Sequence, residues 1–115
     1  MKQKLIDILE TFGYPVSLQG TYEEGAELPK SFFTFWNYET EPVFYSNDVK
    51  RNVWVFRVFF YSQDPTLTNT ILKQACKKLR ENNFLVGGAY DIDSGVPNYT
   101  AREVEVNIIE KEDEN

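Results

Sequence analysis

The chain has 115 residues, 42% hydrophobic and 26% charged, which is the composition of one globular domain rather than of a disordered segment. Its net charge of −6 disfavours direct, sequence-specific binding to nucleic acid, because an acidic surface gains nothing from phosphate contacts. The sequence contains no histidine and one cysteine. This excludes Ser–His and Cys–His nucleophile pairs, an internal disulfide and a zinc site built on cysteine pairs.

The amino-terminal residues do not have the pattern of a secretory signal peptide. Charges at Lys2, Lys4, Asp7 and Glu10 interrupt the apolar residues there. No apolar run in the chain approaches the roughly 20 residues that span a bilayer. We therefore expect a protein that is cytosolic, or made in the cytosol, and that has no membrane partner.

The first part of the chain predicts a helix and then a short strand. Apolar residues fall on one helical face, with charges opposite, at Leu5, Ile6, Ile8, Leu9 and Phe12. Gly13 then supplies the left-handed conformation that commonly ends a helix. Residues 14–18 predict a short strand, in which Pro15 is compatible only with an edge or a first position. Residues 20–30 predict a polar loop.

Two aromatic stretches predict the middle of a sheet. Residues 31–39 (SFFTFWNYE) are aromatic and β-branched, which is typical of a strand. Residues 53–62 (VWVFRVFFYS) place large apolar side chains on both faces of the predicted strand. Both faces are therefore covered, and we place this strand centrally in the sheet. Residues 40–52 contain Pro42 and the turn-forming Ser46, Asn47 and Asp48, and they predict a hairpin connection or a small flap.

The second part of the chain predicts another helix and two further strands. Asp64 and Pro65 have the residue types of a helix N-cap and first position, and Asn82 or Asn83 can supply the left-handed end. Residues 84–86 predict a short strand that Gly87 and Gly88 break, and residues 91–98 predict a loop. Residues 99–109 alternate again, with apolar Val104, Val106 and Ile108 facing inward and Glu103, Glu105 and Asn107 facing water.

These elements predict an α+β fold in the order α-β-β-β-α-β-β. We expect a single, mostly antiparallel sheet of about four to five strands, with two helices packed on one face. Residues 1–110 form one domain in this interpretation, and residues 111–115 form a loose acidic carboxyl-terminal tail.

Each candidate for catalysis in the sequence has a more ordinary structural explanation. Cys76 lies beside the apolar stripe of the second predicted helix, where a small packing residue is far commoner than an activated nucleophile. Asp91 and Asp93 stand alone in a loop, where a turn-forming pair is commoner than a cation site. No phosphate-binding glycine loop occurs. We therefore expect no catalytic residue, metal or cofactor, and an enzyme of unrecognised type is the least favoured class.

The aromatic content stands out, because nine Phe, seven Tyr and two Trp make up 16% of the chain. A sheet with one face under helices hides only part of them, and the rest predict an exposed patch for protein association. Stacking of single-stranded nucleic acid is the alternative, but such a surface needs a basic groove. Arg57 is the most unusual charge, since it lies inside an aromatic strand and predicts an ion pair, a stacked ring or an interface.

The sequence resembles a family of small proteins of prophages in Gram-positive bacteria. The resemblance extends from Lys2 to about Ile109 and is carried by TFGYPVSLQGTY, SFFTFWNYETEP, the FYSN turn and VWVFRVFFYSQDPTL, of which SFFTFWN and FFYSQDP are the most specific. Such proteins resemble tail-completion or tail-terminator components, encoded among the head–tail joining genes of long-tailed phages. No catalytic signature and no individual functional residue can be transferred from the family.

The resemblance implies a structural subunit that forms a ring with itself, possibly a hexamer, between the phage tail tube and the head-connector proteins. It implies the cytoplasm of the bacterial host during assembly, and then the virion, as its location. The segment 40–52 would be an arm that reaches a neighbouring subunit. Phe44 and Tyr45 would be its anchors, and Lys50, Arg51 and Arg57 are further candidate interface residues. The alternative is a monomeric adaptor, or a phage-encoded regulator that binds a host protein.

Overall fold

The computed structural model describes residues 2–22, 27–45 and 49–111, with the backbone alone for 38–45, 49–52 and 110–111. The described residues form α1 (Lys2–Glu10), β1 (Val16–Leu18), β2 (Ser31–Tyr45), β3 (Val49–Ser62), α2 (Pro65–Glu81), β4 (Leu85–Ile92) and β5 (Thr100–Lys111). The α+β class and the element order are those predicted from the sequence.

The strands form one sheet in the order β1-β2-β3-β5-β4, so β3 is central as predicted. β1 runs parallel to β2, with Val16 level with Phe33. The other neighbouring pairs are antiparallel. The sheet is therefore mixed, and antiparallel pairing predominates in it. Parallel neighbours need a crossover of about a dozen residues, which the stretch between β1 and β2 provides.

Strict alternation along the three central strands builds the main core on one face of the sheet. Phe56, Val58 and Phe60 of β3 are fully buried there. They lie level with buried residues of β2 and β5, among them Phe33, Phe35, Val104 and Val106. Both helices cover this face, and they contribute the buried Leu5, Ile8, Leu9, Ile71, Leu72, Ala75, Cys76 and Leu79. Each fully buried Phe or Leu side chain contributes roughly 1.5–3 kcal/mol.

The ends of both helices follow from local sequence. The Asp64 side chain accepts hydrogen bonds from the backbone N–H groups of Thr66 and Leu67, and Pro65 is the first residue of α2. Past the end of α2, Asn83 takes a left-handed φ of 72°. Past the end of α1, Gly13 has a φ of 84°, which an L side chain adopts only with strain. These predicted helix signals are confirmed.

The predicted connection at residues 40–52 is wrong in its extent. β2 continues to Tyr45 and β3 already begins at Val49, so only residues 46–48 separate the two strands. Pro42 suggested a break, yet it stays in register with Asn52. β1 reaches only as far as Phe35, so β2 has no described neighbour on its outer side at Pro42. A proline nitrogen on a free edge removes no ladder hydrogen bond.

The predicted break at Gly87 and Gly88 is also wrong, because β4 continues through both glycines to Ile92. The pairing of β4 with β5 shifts between Val86 and Ala89, and the glycines form the resulting bulge. A Cβ on Gly87 would lie 3.3 Å from the backbone oxygen of Glu105. Glycine thus permits a bulge in which two backbones approach closely, and the strand survives.

The β2–β3 hairpin sets the elongated shape of the molecule. Its pairing runs from Ser31 and Ser62 to Tyr45 and Val49. A strand of this length spans ~50 Å, and the molecule measures 52 × 27 × 22 Å. The radius of gyration is 15.5 Å, against about 13 Å for a compact chain of this length. One end of the hairpin therefore projects beyond the layered body.

We expect Asp64→Ala to lower the free energy of unfolding by about 1 kcal/mol, because two N–H groups at the start of α2 lose their acceptor. Asp64→Asn is the matched control, since its amide oxygen still accepts, and it should change stability by only a few tenths of a kcal/mol. Urea denaturation measures both variants. Equal losses in the two would contradict the capping role.

Candidate interaction surface

The sheet face opposite the helices is covered over only part of its length. Near the start of β2, a second cluster buries Phe32, Phe59, Tyr61 and Ala101. Tyr22, Leu28 and Tyr99 pack onto it from the loops, and the Tyr99 hydroxyl donates a 2.8 Å hydrogen bond to the backbone oxygen of Pro29. The loop before β2 is thereby fixed across this half of the face.

The other half of this face carries a group of half-exposed and exposed large side chains that we call the open patch. It consists of Trp36, Arg57, Leu85, Tyr90, Glu103 and Ile109. The exposed fractions are 49% for Trp36, 63% for Leu85, 64% for Tyr90 and 45% for Ile109. Four large apolar side chains on one sheet face are an exposed patch of the kind that marks protein contact sites.

Strand register explains why these residues share a face. Leu85 and Tyr90 lie level with Asn107 and Glu103, and Ile109 lies level with Val53. Their immediate neighbours, such as Val86, Ala89 and Ile108, point into the helix-covered core. Since side chains alternate along a strand, the residues next to them must lie on the open face.

Arg57 lies at the centre of the open patch. Its register partners are Trp36 on β2 and Glu105 on β5, and its Nη1 donates to Glu103 Oε1 at 3.1 Å. The side chains of Arg57 and Glu103 are 35% and 20% exposed. The ion pair predicted as one role for Arg57 is therefore present, and two carboxylates, Glu103 and Glu105, lie next to this cation.

The structure locates the other predicted interface residues only by their backbone. Phe44 pairs with Lys50, Tyr45 with Val49, and Val43 with Arg51, all at the far end of the hairpin. The side chains of Phe44, Tyr45, Lys50 and Arg51 lie outside the described residues, so their role stays a prediction. Arg57 lies about six residues further along β3, in the open patch.

Sequence reasoning missed Leu85, Tyr90 and Ile109 as surface residues. Ile109 is six residues from Glu103, and in a strand an even spacing places two side chains on the same face. The alternation in β5 therefore already assigns Ile109 to the outer face. Leu85 and Tyr90 could not be assigned in this way. The bulge at Gly87 and Gly88 changes the phase of β4 between them, and the sequence suggested that the strand ended there.

The residues considered for catalysis have structural roles. Cys76 is 6% exposed and belongs to the main core, and its burial raises the pKa of its thiol against the opposing charges of Arg80 and Arg102. Asp93 accepts a hydrogen bond from the backbone N–H of Gly95 and so forms a turn, as predicted. Asp91 does not belong to the predicted loop, because it lies in β4 and contacts Arg102. In the described part of the chain, no group of three or more His, Cys, Asp or Glu residues is arranged to hold a metal ion.

Neither described helix is long and apolar enough to cross a membrane. The chain matches no model of a known protein family, and no curated protein is significantly similar to it. The argument about function therefore depends on the surface itself and on the sequence motifs.

We expect Arg57 and Glu103 to be coupled in stability by about 0.2–1 kcal/mol, the range of partly exposed ion pairs. A double-mutant cycle with Arg57→Met and Glu103→Gln, read by urea denaturation, measures this coupling, which about 1 M salt should reduce. The cycle of Arg57→Met with Asp93→Asn is the control and should be additive. Zero coupling between Arg57 and Glu103 would show that their contact contributes nothing to the stability of the monomer.

Proposed function

We propose that this protein is a structural subunit of a phage virion, a tail-terminator or head–tail joining protein, that acts by assembling with itself and docking onto the tail tube. It has no catalytic role in this proposal. The observation that carries the proposal is the open patch, since a single chain leaves it uncovered and a second protein surface would bury it.

The composition of the open patch supports protein association. Trp36, Tyr90 and Arg57 belong to the three residue types that dominate binding energy at protein interfaces. Leu85 and Ile109 extend the apolar surface on either side. The charge of Arg57 is compensated by Glu103, and a second carboxylate, Glu105, lies level with Arg57 on the same face.

The projecting end of the hairpin also supports assembly. β4 pairs with β5 no further than Asn107, and β5 pairs with β3 no further than Arg51. The end of the hairpin is therefore two-stranded among the described strands. It includes the pairs of Phe44 with Lys50 and of Tyr45 with Val49. A two-stranded ribbon is marginally stable alone in water. Packing against a neighbouring subunit would stabilise it.

The family resemblance and the charge support the particular role. SFFTFWN lies in β2, and FFYSQDP runs from the end of β3 to the first residue of α2, so the most specific motifs form part of the centre of the sheet and the start of the second helix. A ring through which DNA passes benefits from subunits that do not bind phosphate, and the net charge of −6 provides this property.

Light scattering across a wide concentration range tests the proposal. We expect the mass to rise from 13.5 kDa to one defined multiple of it, with six copies as the ring suggested by the resemblance. Trp36→Ser should weaken this association, whereas Leu18→Ser, which changes a residue of the same 49% exposure outside the open patch, should not. The double variant Phe44→Ser/Tyr45→Ser should also weaken association while its circular dichroism stays that of the folded chain.

A chain that stays monomeric at all concentrations, also when mixed with an assembled tail tube, would contradict the proposal and favour the monomeric adaptor. Loss of the folded circular dichroism spectrum in the Phe44→Ser/Tyr45→Ser variant would place these residues in the core and contradict the arm.

A further inference from the structure

A second surface, on the helix side of the sheet, has a different chemistry from the open patch. A groove of about 440 Å³ runs between α2 and the edge strand β4, and we call it the α2–β4 groove. Its lining combines cations, an apolar floor and bare backbone: Asn69, Leu72, Lys73, Cys76, Arg80, Gly87, Gly88, Ala89 and Arg102.

Cations are concentrated on α2, and three of the four have no ion-pair partner among the described residues. Four of the twelve basic residues of the chain but only one of its eighteen acidic residues, Glu81, lie on this helix. Lys73, Lys77 and Arg80 are exposed on successive turns, and none of them forms an ion pair with another described residue. Like charges at such spacings destabilise a helix. An anion bound here would relieve this repulsion.

The floor of the groove strengthens its attraction for anions. Leu72 and Cys76 are 1% and 6% exposed, so the cations border a surface of low polarity, where charges interact more strongly than in water. The charges of Arg80 and Arg102 both reach the Cys76 thiol, and each acts to lower its pKa. Arg102 also contacts Asp91 at 3.4 Å, which compensates only one of the groove's cations.

The open edge of β4 suits an extended chain. β4 is the last strand of the described sheet, so one side of its backbone has no strand partner there. Gly87 carries no side chain that would screen this backbone, whereas the Tyr90 ring lies over Gly88, with its hydroxyl oxygen 3.0 Å from the position of a Cβ there. An unscreened edge next to cations favours an acidic peptide in extended conformation. A nucleic-acid duplex is too wide to enter a groove of this size.

We propose that the α2–β4 groove of one copy binds the acidic residues Glu112, Asp113 and Glu114 of a second copy. These three carboxylates follow β5 directly in the sequence, and the groove cations Lys73 and Arg80 have no ion-pair partner among the described residues, whereas Arg102 already contacts Asp91. The inference deepens the proposed function and rests on the self-assembly proposed there.

The acidic residues lie close to the open patch in the sequence, since Ile109 of the open patch precedes them by only three positions. The groove lies on the other side of the sheet of the accepting copy. Such a contact joins two different surfaces, and this head-to-tail type of interface is the one that closes into rings.

Charge-reversed variants of the full chain test the inference by sedimentation velocity. The groove variant is Lys73→Glu/Arg80→Glu, and the segment variant is Glu112→Lys/Asp113→Lys/Glu114→Lys. We expect each to raise the concentration needed for association by about tenfold or more, since each places like charges opposite one another. Lys2→Glu/Lys30→Glu reverses two exposed cations outside the groove and should change this concentration little.

Mixing the two variants in equal amounts distinguishes contact between copies from contact within one copy. In the mixture, each surface meets a partner of opposite charge, so association should return to about the wild-type level. A further full-chain variant, Glu112→Gln/Asp113→Asn/Glu114→Gln, should associate more weakly than wild type and depend less on salt.

The possible outcomes separate this inference from the proposed function. A wild-type chain that associates while the groove and segment variants associate equally well would overturn the groove contact and leave the assembly proposal standing. A wild-type chain that never associates would overturn both. A third outcome would overturn the groove contact in favour of nucleic acid. In that case the wild-type chain binds a short DNA duplex tightly at physiological ionic strength, and the groove variant loses this binding while its self-association is unchanged.

Discussion

The central strand β3 must place large side chains on both faces of the sheet, and the rest of the molecule is arranged around this constraint. Phe56, Val58 and Phe60 are covered by the two helices, which complete the main core. Phe59 and Tyr61 on the opposite face are covered by loops. Arg57 lies on that same opposite face, beyond the described loops that cover Phe59 and Tyr61, and its ion pair with Glu103 makes the position tolerable in a monomer. The two faces are thus closed to different degrees, and the exposed remainder is where we place the contact with other subunits.

Local chemistry made much of this fold predictable from the sequence. The double-sided alternation of residues 53–62 identified the central strand, and Asp64 with Pro65 identified the start of α2, because each signal acts within a few residues. The two misjudged features depend on distant partners. Pro42 stays in a strand because β2 has no described neighbour on its outer side there, and Gly87 and Gly88 form a bulge against Glu105. Arg57 was recognisable as a surface candidate, whereas Leu85 and Tyr90 needed the bulge to be known.

The distribution of charge gives the molecule two unlike surfaces. The chain is acidic as a whole, yet α2 concentrates cations beside an edge strand with bare glycine backbone. The open patch carries four large apolar side chains around Arg57 and its ion-pair partner Glu103. A protein with unlike surfaces on opposite sides of one sheet is suited to repeated head-to-tail contact, and a symmetric pair of identical patches is not required for it to assemble. The elongated hairpin adds reach to this arrangement, since it extends past the strands that flank it.

The most direct test of the central claim follows Trp36 during assembly. The chain has two tryptophans, and Trp54→Phe leaves Trp36 as the only one while removing an indole N–H that is buried without a partner. The emission maximum of this variant, recorded over the concentration range of the mass measurement, reports whether the open patch is covered. The account predicts a shift to shorter wavelength with the same midpoint as the increase in mass. An assembled protein whose Trp36 emission stays that of a water-exposed indole would contradict it.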